Sequence, residues 1–213
     1  MQKTALITGA SRGFGAAMAE VFAADGIHVI ALARTTGALE ELDDRIKAKG
    51  GSATLVPLDI TDEQGLQRLC LSIFERWGGL DYWLHAAIFA APLSPVGHVP
   101  EKDWKRTLDT NVHATQRLIA NVEPLLLARE GTAIHLDDPC GGEKFFGAYG
   151  TSKTAQKALF NSWAAESQSA AFEVISFTPE PMPTATRARF FPGEDRAVLS
   201  HPSKQAKRLM AEL

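Results

Sequence analysis

Tyr149 and Lys153 stand four positions apart. On a helix that spacing puts both side chains on one face. A lysine ammonium beside a phenol favours the phenolate and lowers the phenol pKa from an ordinary value of about 10. Near the start of the chain, Gly9, Gly13 and Gly15 punctuate the run Thr8-Gly9-Ala10-Ser11-Arg12-Gly13-Phe14-Gly15. Glycines at such a turn let the backbone approach a pyrophosphate, which then rests on the N-terminus of the following helix. The six histidines show no close pair at metal-ligand spacing, and no metal is expected.

These residues need elements to hold them. Short apolar runs at Thr4–Thr8, His28–Ala33, Ala53–Leu58, Leu80–His85, Thr132–Leu136 and Glu173–Phe177 read as strands buried on both faces. Between them lie helix-length segments at Phe14–Ala24, Thr36–Lys49, Glu63–Arg76, Glu101–Ala128 and Tyr149–Ala170. The fourth carries an apolar face through Trp104, Leu108, Val112, Thr115, Ile119, Val122 and Leu126, with Pro124 expected to kink it or end its regular part. Trp77, Trp83, Trp104 and Trp163 read as core or helix-interface residues. Strands alternating with helices predict one α/β domain over residues 1–213, a doubly wound, six-stranded parallel sheet of the Rossmann type. The glycine run then falls in the first strand–turn–helix unit, beside the expected crevice. Pro179 to Pro192 is expected to be a loop beside the site, with room for a short helix.

Composition narrows the function. The chain has 213 residues with 22 basic and 25 acidic side chains, a formal charge of −3. That argues against a nucleic-acid partner. Lys204, Lys207 and Arg208 read as a solvated helix face. The apolar stretch around Leu84 to Leu93 is roughly half of the ~20 residues a membrane helix needs, so no membrane partner is expected. Cys70 and Cys140 fit a reducing compartment, and no apolar signal region precedes the first strand, so a cytoplasmic protein is expected.

The spacing G-x-x-x-G-x-G after a threonine resembles the T-G-x-x-x-G-[IF]-G loop of the short-chain dehydrogenase/reductase family, main branch. The likeness continues along almost the whole chain. Asp59-Ile60 resembles the family's adenine-contacting segment, and Asn111 within Asn111-Val112-His113-Ala114 resembles its active-site asparagine. Tyr149-Gly150-Thr151-Ser152-Lys153 matches Y-x-x-x-K, and Pro179 to Thr184 sits where the family has P-G-x-x-x-T. Arg187-Ala188-Arg189-Phe190-Phe191-Pro192-Gly193-Glu194 is similar to an R-A-x-x-F-P-x-E segment of a bacterial subgroup.

The resemblance implies hydride transfer between a nicotinamide cofactor and a small carbonyl or alcohol. Tyr149 would be the acid/base and Lys153 its tuner and ribose ligand, with Asn111 behind a water-linked proton path. Cofactor contacts would fall on Gly9, Ser11, Arg12, Gly13, Phe14, Gly15, Arg34, Asp59, Ile60, Ala86, Lys153, Pro179, Met182 and Thr184. Where an NAD site carries an acid at the end of the second strand, this chain has Ala33 followed by Arg34, and Arg12 precedes Gly13. Arginine suits a ribose 2′-phosphate, so the expected cofactor is NADP.

Three departures stand out. The family's serine falls on Asp138 if Gly141 sets the alignment, or on Asp137 given the short stretch to Tyr149. A hydroxyl can donate to a developing oxyanion; an ionised carboxylate cannot. His85-Ala86-Ala87-Ile88 replaces N-N-A-G, with an expected loss of polar groups bracing the sheet end. Glu180 replaces a glycine and is expected to add charge near the nicotinamide pocket. The alternative to an enzyme is therefore an impaired NADP-binding sensor or scaffold. Ser203 to Leu213 is expected to form a short helix without a further strand. The sixth strand would then lie at a sheet edge, protected only by that tail. A homodimer through the two long helices is expected, with Leu118, Val122, Leu159 and Trp163 as candidate interface residues.

Overall fold

The computed structural model describes residues 2–213. Six strands form one parallel sheet in the order β3-β2-β1-β4-β5-β6: β1 (Thr4–Thr8), β2 (His28–Ala33), β3 (Ala53–Pro57), β4 (Tyr82–His85), β5 (Thr132–Leu136) and β6 (Glu173–Phe177). Alternate residues of each strand point to opposite faces. On β1 and β2, Ala5, Ile7, Val29 and Ala31 meet α1 (Gly13–Ala24) and α2 (Thr36–Ala48), through Phe22 and Leu39. Leu6, Ile30 and Leu32, with Trp83 of β4, face the other layer. That layer holds α3 (Glu63–Trp77), α5 (Ala114–Leu127) and α6 (Gly147–Ser167), through Ile73, Leu118 and Phe160. Among the described residues no helix is long and apolar enough to cross a membrane.

The segment expected as one helix over Glu101–Ala128 is α4 (Glu101–Leu108), a π turn at Asp109–His113, and α5. The wider turn rotates the buried face. Thr107 before it and Thr110 within it face inward, whereas Trp104 is 39% exposed and Leu108 and Val112 are only half-buried. After it the buried set is Ala114, Thr115, Leu118, Val122, Leu125 and Leu126. The single apolar stripe, and Trp104 as a core residue, are thus corrected. Pro124 does not end the helix at once. It lies exposed in the last turn, and the helix closes at Leu127.

Leu118, Val122 and Trp163 are buried against the protein's own core and are not free for a partner; of the four proposed interface residues only Leu159 is half-exposed. These side chains sit on the inward stripe of their helices, which the sheet already covers. A short helix, α7 (Ala185–Phe190), does form in the Pro-rich stretch. The tail forms α8 (Pro202–Met210). β6 lies at the sheet edge, but α8 does not cover that edge as expected. Its Ala206 and Leu209 are wholly buried in the cluster around α1, and it reaches the end of β6 through Arg208, which donates to Thr178 O at 2.6 Å and lies over the Phe177 ring.

His85 and His135 are neighbours across β4 and β5 and are wholly buried. Burial, then the charge of Lys153 and of His135, pushes the His85 imidazole down to about 3. Burial and Lys153 push His135 down to about 3 against the pull of Asp137. Both are neutral in the fold, whereas the unfolded chain protonates them near pH ~6.5. The unfolded state then binds more protons, so stability falls as pH drops below about 6.5, by about 1.4 kcal/mol per pH unit per histidine. Urea unfolding should lose about 4 kcal/mol from this pair between about pH 6 and about pH 4.5. His85→Asn should remove about half of the pair's slope. An unchanged slope in that variant would contradict a buried neutral His85.

Candidate active site

The strand order reverses direction between β1 and β4, and a crevice opens there beyond the strand ends. Its volume is about 710 Å³. Every residue named above for cofactor or catalysis lines it except Asn111, which is wholly buried behind it.

The outer part of the cleft is built by the glycine loop. Gly9 has φ +85°, and a Cβ there would lie 2.6 Å from the Ala86 carbonyl carbon. A Cβ on Gly15 would lie 2.3 Å from Gly9 O. Any side chain at either place would close the cradle. The first turn of α1 has no side-chain cap and no acidic residue, so its N–H groups keep no helical partner. Those donors, with the dipole of α1, suit a pyrophosphate. Arg12 is exposed beside them and its guanidinium has no partner among the described residues. Arg34 Nη1 lies 3.6 Å from Asp59 Oδ2, both side chains being about half-exposed. The two expected adenosine-end residues thus contact each other across the cleft wall. The donor set and the cradle fit a dinucleotide.

At the inner part, Tyr149 Oη donates to Asp138 Oδ2 at 2.9 Å. That separates the two aspartates: Asp138 meets the tyrosine, whereas Asp137 Oδ2 takes Lys157 Nζ at 2.6 Å. Tyr149 is 3% exposed. Burial, then the charge and hydrogen bond of Asp138, holds its phenol well above the ordinary value. This reverses the expectation that Lys153 lowers it. Lys153 Nζ instead donates to Leu136 O at 2.7 Å and to Gln156 Oε1 at 2.5 Å. Burial pulls the Lys153 ammonium down to about 8 against the attraction of Asp138 and Asp137.

The Asn111 side chain serves a loop rather than Lys153. It accepts from Phe89 N at 2.7 Å and donates to Phe89 O and to Ser152 Oγ, both at 2.9 Å. The π turn carries its carbonyl toward α6, where Gln156 Nε2 donates to Asn111 O at 3.1 Å and to Thr115 Oγ1 at 3.0 Å. Asn111 therefore reaches Lys153 through its backbone and Gln156.

One other expectation is corrected. The sheet end does not lose its brace. His85 Nδ1 meets Thr8 Oγ1 at 2.8 Å and Nε2 meets Thr115 Oγ1 at 2.9 Å, so one imidazole ties β1, β4 and α5 together. Glu180 lines the cleft and brings its charge there, and its side chain is also tied to the tail. Its Oε2 accepts from Gln205 Nε2 at 2.8 Å, and its N donates to Gln205 Oε1 at 3.1 Å, tying the loop to α8. Phe146 and Phe190 wall the inner end, with Phe190 5.0 Å from the Tyr149 ring centroid and 5.0 Å from that of Phe146. Arg187 is held by Glu194 at 2.6 and 2.7 Å. Reasoning from sequence missed His85, Thr115 and Gln156. Gln156 had a signal, one helical turn after Lys153 on the same face; His85 had none beyond its place at a strand end.

The short chain dehydrogenase profile matches residues 3–195. The chain belongs to the short-chain dehydrogenase family. It is 32% identical over 155 residues to serine 3-dehydrogenase of Rhizobium radiobacter, covering 72% of this chain and 61% of that protein. A short chain dehydrogenase structure from Pseudomonas syringae superposes with a TM-score of 0.91 at 31% identity, covering 95% of this chain and 85% of that one. Another, from Escherichia coli CFT073 and complexed with NADPH, gives 0.88 at 30% identity over 95% and 86% of the two chains. The chain spans less than two thirds of the length of the curated relatives it matches.

In this family member the phenol should not ionise at neutral pH while Asp138 is present. Near-ultraviolet titration of the wild type against Tyr149→Phe should assign the Tyr149 step above about pH 10. Asp138→Ser should move that step downward. A step that stays in place would contradict the carboxylate's hold on the phenol.

Proposed function

We propose that the chain is an NADP(H)-dependent oxidoreductase that transfers hydride between nicotinamide and a small carbonyl or alcohol. One observation carries this reading: a single cleft joins a phosphate cradle on α1 to the Tyr149–Lys153 pair. Bound NADP(H) supplies or accepts the hydride. Gly9, Ser11, Gly13, Phe14 and Gly15 would hold its pyrophosphate, and Asp59, Ile60 and Ala86 its adenine side. Pro179, Met182 and Thr184 would hold the nicotinamide side. Arg12 and Arg34 would meet a 2′-phosphate, and Lys153 the nicotinamide ribose. The NADPH in the Escherichia coli relative supports the choice of cofactor. In reduction, Tyr149 Oη releases its proton to the substrate oxygen. Asn111 positions the loop after β4 and, through Gln156, the lysine.

A second reading, an impaired NADP-binding sensor or scaffold, draws on the Tyr149–Asp138 bond, which occupies the proton donor. For assembly we propose a homodimer through the outer flanks of α5 and α6, where Leu159 remains partly exposed. Two free, buried cysteines support a cytoplasmic location.

NADPH should bind more tightly than NADH. Each charge-assisted contact contributes about 1.5–3 kcal/mol before discounting for exposure. Arg34→Asp should erase or reverse the preference. Tyr149→Phe should keep cofactor affinity and lose about 10²–10⁴ in turnover on a carbonyl panel. Binding without turnover in the wild type would favour the sensor; no binding would defeat both readings.

A further inference from the structure

The carboxylate of Asp138 has one oxygen in use. Oδ2 accepts from Tyr149, and Oδ1 has no partner among the described residues although Asp138 lines the cleft. The cations around it are committed elsewhere: Lys153 to Leu136 O and Gln156, Lys157 to Asp137, and Arg187 to Glu194. None lies within ion-pair distance of Asp138, although its charge reaches Lys153 and Arg187. Phe146 and Phe190 line the same cleft and pack on each other and on Tyr149. The two parts of the cleft therefore differ in charge. Arg12 and Arg34 favour anions at the outer part, whereas Asp138, with one carboxylate oxygen free, favours a cation at the inner part.

A neutral ketone meets two obstacles here. Its developing oxyanion would face the Asp138 carboxylate, and its oxygen cannot draw Tyr149 Oη away from that stronger acceptor. A substrate with an ammonium on the carbon next to the reacting one removes both. Its N–H groups donate to Asp138, which frees the phenol to turn to the neighbouring oxygen. Its positive charge also offsets the carboxylate beside the developing oxyanion.

Resting on the oxidoreductase reading above, we propose that the substrate class is the 1,2-amino ketone and amino alcohol pair, with Asp138 as the specificity-determining residue that binds the ammonium. In the reducing direction, hydride from the reduced nicotinamide dinucleotide adds to the carbonyl carbon. The C=O π pair moves to oxygen, which takes the Tyr149 proton. The ammonium keeps its hydrogens and leaves on the amino alcohol. The dinucleotide is oxidised by two electrons, and Tyr149 regains a proton from water.

The test is calorimetric binding to protein saturated with NADP⁺. The probes are 2-amino-1-phenylethanol and 1-phenylethane-1,2-diol, which differ at the amine. The amine should bind about tenfold tighter, as a partly exposed charge-assisted hydrogen bond allows. Asp138→Asn should make the two probes equal, and Asp138→Ser should do the same if the asparagine variant fails to fold by thermal melting. Equal affinities in the wild type, or a preference that survives in a folded variant, would overturn the inference. The underlying reading fails separately: no NADP⁺ binding overturns it. Cofactor binding with neutral ketones reduced as fast as amino ketones overturns only the substrate class.

Discussion

The ammonium of Lys153 is buried in the inner wall of the cleft, and so many polar groups must converge on it. A buried charge is tolerated only when hydrogen bonds replace its water. Leu136 O arrives from the end of β5, and Gln156 from the next turn of α6. Gln156 in turn holds Asn111 O on the π turn and Thr115 on α5, and Thr115 holds His85, which holds Thr8. One charge thus fixes the relative places of β1, β4, β5, α5 and α6 at the mouth of the cleft. The same charge helps to keep His85 and His135 neutral. The positioning of the site and the acid sensitivity of the fold share this origin.

Asp138 changes what the rest of the site can do. Family geometry is preserved around it: the glycine cradle, the uncapped start of α1 and the tyrosine one helical turn before the lysine. Where a serine would also offer a donor, Asp138 offers the tyrosine an acceptor. Tyr149 responds by donating to it, and its phenol moves away from ionisation. The outer cleft is built from other groups, the backbone donors at the start of α1 and the exposed Arg12 and Arg34.

Much of this was legible in the sequence because it rests on local pattern. The six strands, the sheet edge at β6 and the glycine loop follow from apolar runs and turn chemistry. The choice between Asp137 and Asp138 was not local; it needed the path of the loop from β5 to α6. His85 read as the loss of a polar brace, because a motif shows which residue is missing and not which partners a larger ring can reach. The π turn was hidden for a related reason. Asp109 to His113 fit a helical pattern, and only packing against α6 shows the extra residue in the turn. Glu180 was legible as a charge at the cleft, but its hold on Gln205, far along the chain, was not.

The central claim is that Asp138 sets the substrate limits of a cleft otherwise built for hydride transfer. Turnover of Asp138→Ser on simple neutral ketones with NADPH tests it most directly. A serine restores an oxyanion donor and releases Tyr149, so kcat should rise, by up to about 10²–10³. An unchanged or lower kcat in a folded, NADPH-binding variant would contradict the claim.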